Sequence, residues 1–164
     1  MKPSIYPIVA EYPGQLFIMP KPSGEWLEED IQYYRSMGVD LIVSMLEHDE
    51  AIELLLNHEQ IICFANGLNF VHLPTPDRGL PEKKEFMELI SLIRKRLGRN
   101  EGIAVHCRAG IGRSGILVCS VLAGFVGSVT KSIEIVSAAR GVQVPDTAGQ
   151  LQFIEDIVRE LGTR

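Results

Sequence analysis

Apolar residues along the chain fall into short unbroken runs, separated by longer stretches in which they recur every third or fourth position. The runs are QLFIM (15–19), DLIVSML (40–46), NFVHLP (69–74) and GIAVHC (102–107). Runs this short predict strands, and the continuous run 40–46 predicts one buried on both faces. The first helical pattern covers about 25–37, with Ser23 as its expected cap, Gly38 as its stop and Trp26 expected to pack on the core. A second, over 49–66, stops at Gly67, and a third runs from Pro81, placed as a first-turn proline, to about Gly98. Beyond the last run, GILVCSVLAGFVGSV (115–129) supplies a helix expected at about 112–126. It falls short of the roughly 18 residues of a membrane span, so it reads as a buried core helix and no span is expected. Two further helices fit 130–140 and 147–161, divided by Gly141 and Pro145.

Strands alternating with helices predict an α/β fold, a central and mainly parallel sheet of about 4–5 strands flanked by helices. No repeat or linker interrupts the pattern, so residues 1–164 read as a single domain. Loops leaving parallel strands at their carboxyl ends share one edge of the sheet. The loops after 69–74 and 102–107 are therefore expected to face each other, bringing Asp77 towards Cys107.

Composition narrows the function classes. With 164 residues, 46% hydrophobic and a net charge of −5, the chain reads as an ordinary globular domain rather than a general nucleic-acid binder. A local cationic pocket built on Arg108 and Arg113 is compatible with that charge. The three cysteines, Cys63, Cys107 and Cys119, are an odd set without C-x-x-C spacing, and the N-terminal MKPSIYPIVAEYPG lacks the apolar stretch of a secretion signal. A reducing cytoplasm, where a thiol stays free for chemistry, is the expected location. Cys63 and Cys119 sit in apolar helical contexts and read as core. His48, His58 and His72 show no metal-ligand spacing, so neither a metal nor another cofactor is expected.

The chemistry concentrates in VHCRAGIGRSG (105–115). A strand–loop–helix order puts Cys107 beneath a helix N-terminus, where unpaired N–H groups and the helix dipole favour an anion. Such a field lowers thiol pKa values to about 3.5–7.5 in documented cases, so Cys107 is expected as a thiolate. Gly110 and Gly112 allow Arg108, Ala109, Gly110, Ile111 and Gly112 to curl into a nest of inward N–H groups. Arg113 adds a planar fork matching two phosphate oxygens, and Ser114 is placed to hydrogen-bond the sulfur. A nucleophile at the base of an oxyanion cradle suits attack on phosphorus. Arg108 either lines the rim or is solvated. Structural readings compete at two positions: Pro-Asp-x-Gly makes Asp77 a turn former, and Thr147 with Gln150 has the spacing of a capping box.

The pattern H-C-x-x-G-x-x-R-S, here His106, Cys107, Gly110, Arg113 and Ser114, resembles the signature of cysteine-dependent protein tyrosine and dual-specificity phosphatases. The likeness extends over about residues 14–158: LIVSML resembles the family's early core strand, LPTPDRGLP its general-acid loop, and VPDTAGQLQFI its glutamine segment. It implies a phosphocysteine on Cys107, phosphoryl oxygens gripped by Arg113 and the loop 108–112, and Asp77 protonating the leaving oxygen before helping to deprotonate water. It also implies a glutamine that positions this water, with Gln150, Asp146 and Gln143 as the alternatives, and a histidine, His106, that orients the loop. The substrate implied is a phosphorylated protein. No tryptophan precedes Pro76–Asp77 and no long phosphotyrosine-recognition loop is present, which favours a small dual-specificity type. The loop lacks the lysines of inositol-lipid phosphatases, leaving lipid or inositol phosphate as second choice. A phospho-binding pseudophosphatase and a rhodanese-like sulfur transferase are the other classes, and neither needs Asp77.

Overall fold

All four apolar runs form strands: 15–19 does so over its whole length, and the other three release one to three end positions to loops. The computed structural model describes residues 2–162, so the two ends of the expected 1–164 domain lie outside the described residues. In chain order come β1 (Tyr6–Pro7), β2 (Gln15–Met19), α1 (Leu27–Ser36), β3 (Leu41–Ser44), α2 (His48–Glu53) and α3 (Glu59–Ala65). Then follow β4 (Asn69–His72), α4 (Lys83–Gly98), β5 (Gly102–His106), α5 (Arg113–Val126), α6 (Val129–Arg140) and α7 (Ala148–Leu161). The sheet order is β1-β2-β5-β3-β4, with β2, β5, β3 and β4 parallel and β1 an antiparallel edge. The α/β expectation holds. β4 and β5, joined through α4, are separated in the sheet by β3.

Successive strand residues point to opposite faces, and both faces are covered. Leu16, Ile18, Leu41, Val43, Ile103 and Val105 meet the apolar sides of α4, α5 and α7 in the larger core. Phe17, Met19, Ile42 and Ala104 meet Leu27, Ile31, Tyr34 and Cys63 of α1 and α3 in the smaller one. Helix α5 is buried continuously from Arg113 to Ala123, as a helix apolar on all sides must be. It lies between the sheet and the outer helices, with its N-terminus at the carboxyl ends of β3, β4 and β5. Cys63 and Cys119 are both buried, as expected of core residues.

Several local expectations need correction. The stretch 49–66 is two short helices, α2 and α3, because Leu55 takes a left-handed conformation at φ 60° and the chain turns there. Neither glycine nor proline marks that turn. Ser23 does not cap α1: Trp26 occupies the N-cap position, and the Ser23 hydroxyl accepts a hydrogen bond from the Trp26 N–H at 3.3 Å. Trp26 itself is 62% exposed rather than packed on the core. Pro81 stands ahead of α4, whose cap is Glu82, its carboxylate accepting from the N–H groups of Lys84 and Glu85. The two-residue β1, paired through Tyr6 and Pro7 with Ile18 and Phe17, is too short to leave a periodic signal.

Left-handed geometry costs a non-glycine residue about 1–2 kcal/mol, and Leu55 is mostly exposed, so little burial offsets it. Asparagine tolerates this region better. Leu55→Asn is expected to stabilise the fold by about 1 kcal/mol, raising Tm by about 2–4 °C at this chain size. A lower Tm in calorimetry would show that the Leu55 side chain contributes more than its backbone costs.

Candidate active site

Cys107 follows β5 directly and is buried, while α5 begins at Arg113. The intervening loop is held from outside by its carbonyls. The Lys21 N–H donates to the Arg108 carbonyl at 3.1 Å, and the Arg140 guanidinium donates to the carbonyls of Ala109 (3.0 Å) and Gly110 (3.2 Å). Arg140, from the end of α6, also stacks on the Tyr6 ring, 4.6 Å from its centroid. The loop N–H groups from Arg108 to Gly112 have no acceptor among the described residues, which leaves a curl of donors suited to an anion. Gly110 sits at φ 74°, where a Cβ would come within 2.5 Å of the Met19 backbone. A Cβ on Gly112 would lie 2.5 Å from Asp146 Oδ2 and 3.2 Å from Gln150 Nε2. Gly110 is therefore demanded by its φ and by close approach of backbone, whereas at Gly112 only the ends of two side chains would have to give. Ser114, in the first turn of α5, is fully buried and its Oγ has no hydrogen-bond partner.

Arg113 is the hub of the site. Only 2% exposed, it makes a two-pronged ion pair with Glu50 of α2 (2.7 and 2.9 Å) and donates to the Thr75 carbonyl at 3.0 Å. A longer bond of 3.4 Å reaches the Met45 carbonyl. Its Nη2 also lies 3.3 Å from Asp77 Oδ1, so the loops after β4 and β5 do meet, as the parallel sheet requires. Arg108, half exposed, is bound to the same Glu50 carboxylate at 3.0 Å. Glu50 carries no motif in the sequence and was not among the expected site residues. Its hydrogen bond from Arg113 is the main influence holding its carboxyl down, from an ordinary 4.5 to about 2, against the opposing effect of burial. Arg140 was likewise missed, because its guanidinium reaches the loop across the fold.

Asp77 combines its two readings. It lies in a tight turn closed by the Gly79 N–H on the Pro76 carbonyl at 2.8 Å, and its carboxylate nonetheless points at Arg113. Gln150 also does both. The Thr147 Oγ1 accepts from the Gln150 N–H at 3.0 Å, which is the cap, while Gln150 Oε1 accepts from the Asp146 N–H at 3.1 Å. Gln150 Nε2 donates to the Gly79 carbonyl at 3.3 Å, tying the Asp77 turn to α7. Of the three alternatives, Gln150 is buried against the loop, Asp146 is exposed but touches Gly112, and Gln143 donates to the Val144 carbonyl. His106 is fully buried between the Cys107 carbonyl and Glu59.

The arrangement is a buried thiol, a curl of N–H donors, a fixed guanidinium and a carboxylate on a facing loop. Comparison with known proteins bears on the family and the fold. A family model described as Tc-R-P, polymorphic toxin system, DSP-PTPase phosphatase, matches residues 19–125. The chain is 33% identical over 96 residues to tyrosine-protein phosphatase 1 of Caenorhabditis elegans, covering 54% of this chain and 9% of that protein. It is 25% identical over 157 residues to protein tyrosine phosphatase domain-containing protein 1 of Bos taurus, covering 89% of this chain and 20% of the relative. The chain spans from 5% to 38% of the length of the curated relatives it matches. Among solved structures, kinase associated phosphatase with its catalytic-site cysteine replaced by serine gives a TM-score of 0.87 at 16% identity, over 100% of this chain and 98% of that one. PTPMT1 in complex with PI(5)P gives 0.77 at 19% identity, over 91% and 93%. Both share the fold.

The depressed Glu50 carboxyl carries a stability signature. Its folded-state value lies below its unfolded one, so the ion pair contributes fully above the ordinary carboxylate range and is lost as pH falls towards about 2. Glu50→Gln leaves the Arg113 charge buried and poorly matched, and is expected to cost about 3 kcal/mol at neutral pH. The variant should also lose less stability than wild type between pH 4.5 and about 2, the window set by Glu50 itself. Urea denaturation at both pH values checks this, and parallel losses on acidification would remove Glu50 from the account.

Proposed function

The chain belongs to the DSP-PTPase phosphatase family, and from that premise we propose that it dephosphorylates proteins, at phosphotyrosine and at phosphoserine or phosphothreonine, through a phosphocysteine at Cys107. The observation that carries the reading is the approach of the Asp77 carboxylate to Arg113 across two loops, which puts an acid beside the guanidinium that would hold the phosphoryl group. In the first step Cys107 Sγ attacks phosphorus, an S–P bond forms, and the ester P–O bond breaks as Asp77 gives its proton to the leaving oxygen. Arg113 and the loop N–H groups of 108–112 carry the charge of the equatorial oxygens. In the second step water attacks phosphorus, Asp77 takes its proton, and the thiolate departs with a hydrogen bond from Ser114. Gln150, packed against Gly112 and the Asp77 turn, is the side chain we assign to orienting that water.

A protein substrate fits the loop better than an inositol headgroup. Arg108, the one basic residue at its variable positions, is already engaged by Glu50, which leaves little spare positive charge for a second phosphate. A phosphoinositide remains the alternative substrate, to be assayed beside phosphopeptides. Cys63, Cys107 and Cys119 are all unbridged, which fits the reducing cytoplasm we propose as its location. No helix among the described residues is long and apolar enough to cross a membrane.

Cys107→Ser is expected to abolish hydrolysis of para-nitrophenyl phosphate while keeping phosphopeptide binding by calorimetry, since the cradle and Arg113 remain and serine without a base is a weak nucleophile. Substantial turnover by the purified variant would exclude the covalent route. Asp77→Asn should lose about 10²–10⁴-fold on phosphoserine peptides, whose alkoxide needs a proton, and much less on activated aryl phosphates. The basic limb of its kcat/KM profile should vanish. Equal, small losses on both substrates would return Asp77 to a turn-forming role.

A further inference from the structure

We infer that Glu59 is a positioning residue of this site, acting through His106 on the Cys107 nucleophile; the inference rests on the proposed cysteine mechanism. Glu59 opens α3 and His106 closes β5, with no motif linking them. Both are buried, at 2% and 0% exposure, and Glu59 Oε2 lies 2.7 Å from His106 Nε2. The other ring nitrogen, Nδ1, lies 3.1 Å from the Cys107 carbonyl. A carbonyl only accepts and a carboxylate only accepts, so satisfying both bonds with ionised Glu59 requires a hydrogen on each ring nitrogen. With Glu59 ionised, the geometry calls for an imidazolium paired with a carboxylate, one residue from Cys107.

The surrounding groups are consistent with that charge state. Burial and then neighbouring carboxylates push up the Tyr34 hydroxyl, and burial and then Glu59 push up the Cys63 thiol, so neither ionises nearby. His48 and His72 line the same cleft of about 220 Å3 as Glu59, and His72 Nε2 is taken up by the Leu46 carbonyl at 2.5 Å. On the other side Cys107 faces Arg113, whose charge is already shared between Glu50 and Asp77. The negative charge that His106 touches directly is the Glu59 carboxylate. Burial opposes the imidazolium most strongly, but the Glu59 charge and hydrogen bond, the Cys107 carbonyl and the sulfur charge together outweigh it, and His106 shifts upward from the usual histidine range.

Glu59→Gln preserves the shape and removes the charge. Without the carboxylate His106 becomes neutral, and the sulfur anion loses a nearby cation. Iodoacetate alkylation of Cys107, read by peptide mass against Cys63 and Cys119, should show its pH midpoint displaced upward by about one unit in the variant. At neutral pH the rate should fall several-fold, and in a His106→Asn background the same substitution should change nothing further. An unchanged midpoint in folded Glu59→Gln overturns the inference, as does an equal displacement in the His106→Asn background. Nitrogen NMR of the wild-type imidazole decides the matter even if the variant fails to fold: an imidazolium at pH 7 supports the inference, and a neutral ring overturns it. Neither readout needs turnover, so both stay decisive even for a wild-type protein that hydrolyses no phosphate ester.

Discussion

The structure turns on one buried cation. A guanidinium cannot shed its charge, and taking it out of water costs several kcal/mol unless its hydrogen-bonding directions are filled. Arg113 meets that demand with Glu50 from α2, the Met45 carbonyl after β3, the Thr75 carbonyl after β4 and Asp77 from the turn beyond. They come from two segments at the carboxyl edge of the sheet, residues 45–50 after β3 and 75–77 after β4. The group suited to gripping a phosphoryl oxygen is thus also what gathers the loops that would surround the phosphate. Binding chemistry and loop assembly share the same bonds.

A loop that presents N–H groups inward must dispose of its carbonyls outward. Here the Lys21 N–H takes one and Arg140 takes two, and Gly110 supplies the φ of 74° and the clearance against Met19 that the curl needs. The cradle is therefore fixed from both sides before any ligand enters, which lowers the ordering that binding has to bring about. Arg140 is itself steadied by the Tyr6 ring, so the short edge strand β1 contributes to the rigidity of a loop far from it in sequence.

How much of this could be read from the chain follows from the range of each interaction. The apolar runs, the buried helix α5 and the Cys107–Arg113 loop announce themselves because their signals lie within a few consecutive residues. Asp77 was legible through its turn and through the rule that parallel strands share a carboxyl edge. Glu50, Glu59 and Arg140 were not, since each acts on a partner 63, 47 or about 30 positions away and has an unremarkable neighbourhood of its own. Trp26 misled because an aromatic in a helical pattern reads as core, whereas at the N-cap of α1 it faces solvent.

The break between α2 and α3 shows why a wrong helix assignment mattered for the site. On one unbroken helix, Glu50 and Glu59 would project roughly 180° apart and lie roughly 13 Å from each other along the axis. They could not then serve two bases flanking the same cysteine. The left-handed residue Leu55 turns the chain, the Leu56 N–H closes that turn on the Ala51 carbonyl at 2.7 Å, and α3 starts afresh at Glu59. One carboxylate then reaches Arg113 and the other reaches His106, the two cations on either side of Cys107 in the chain. The strain at Leu55 is a local cost of delivering two buried negative charges to two buried positive ones, and periodicity alone, which measures only how a segment would bury itself, has no way to register it.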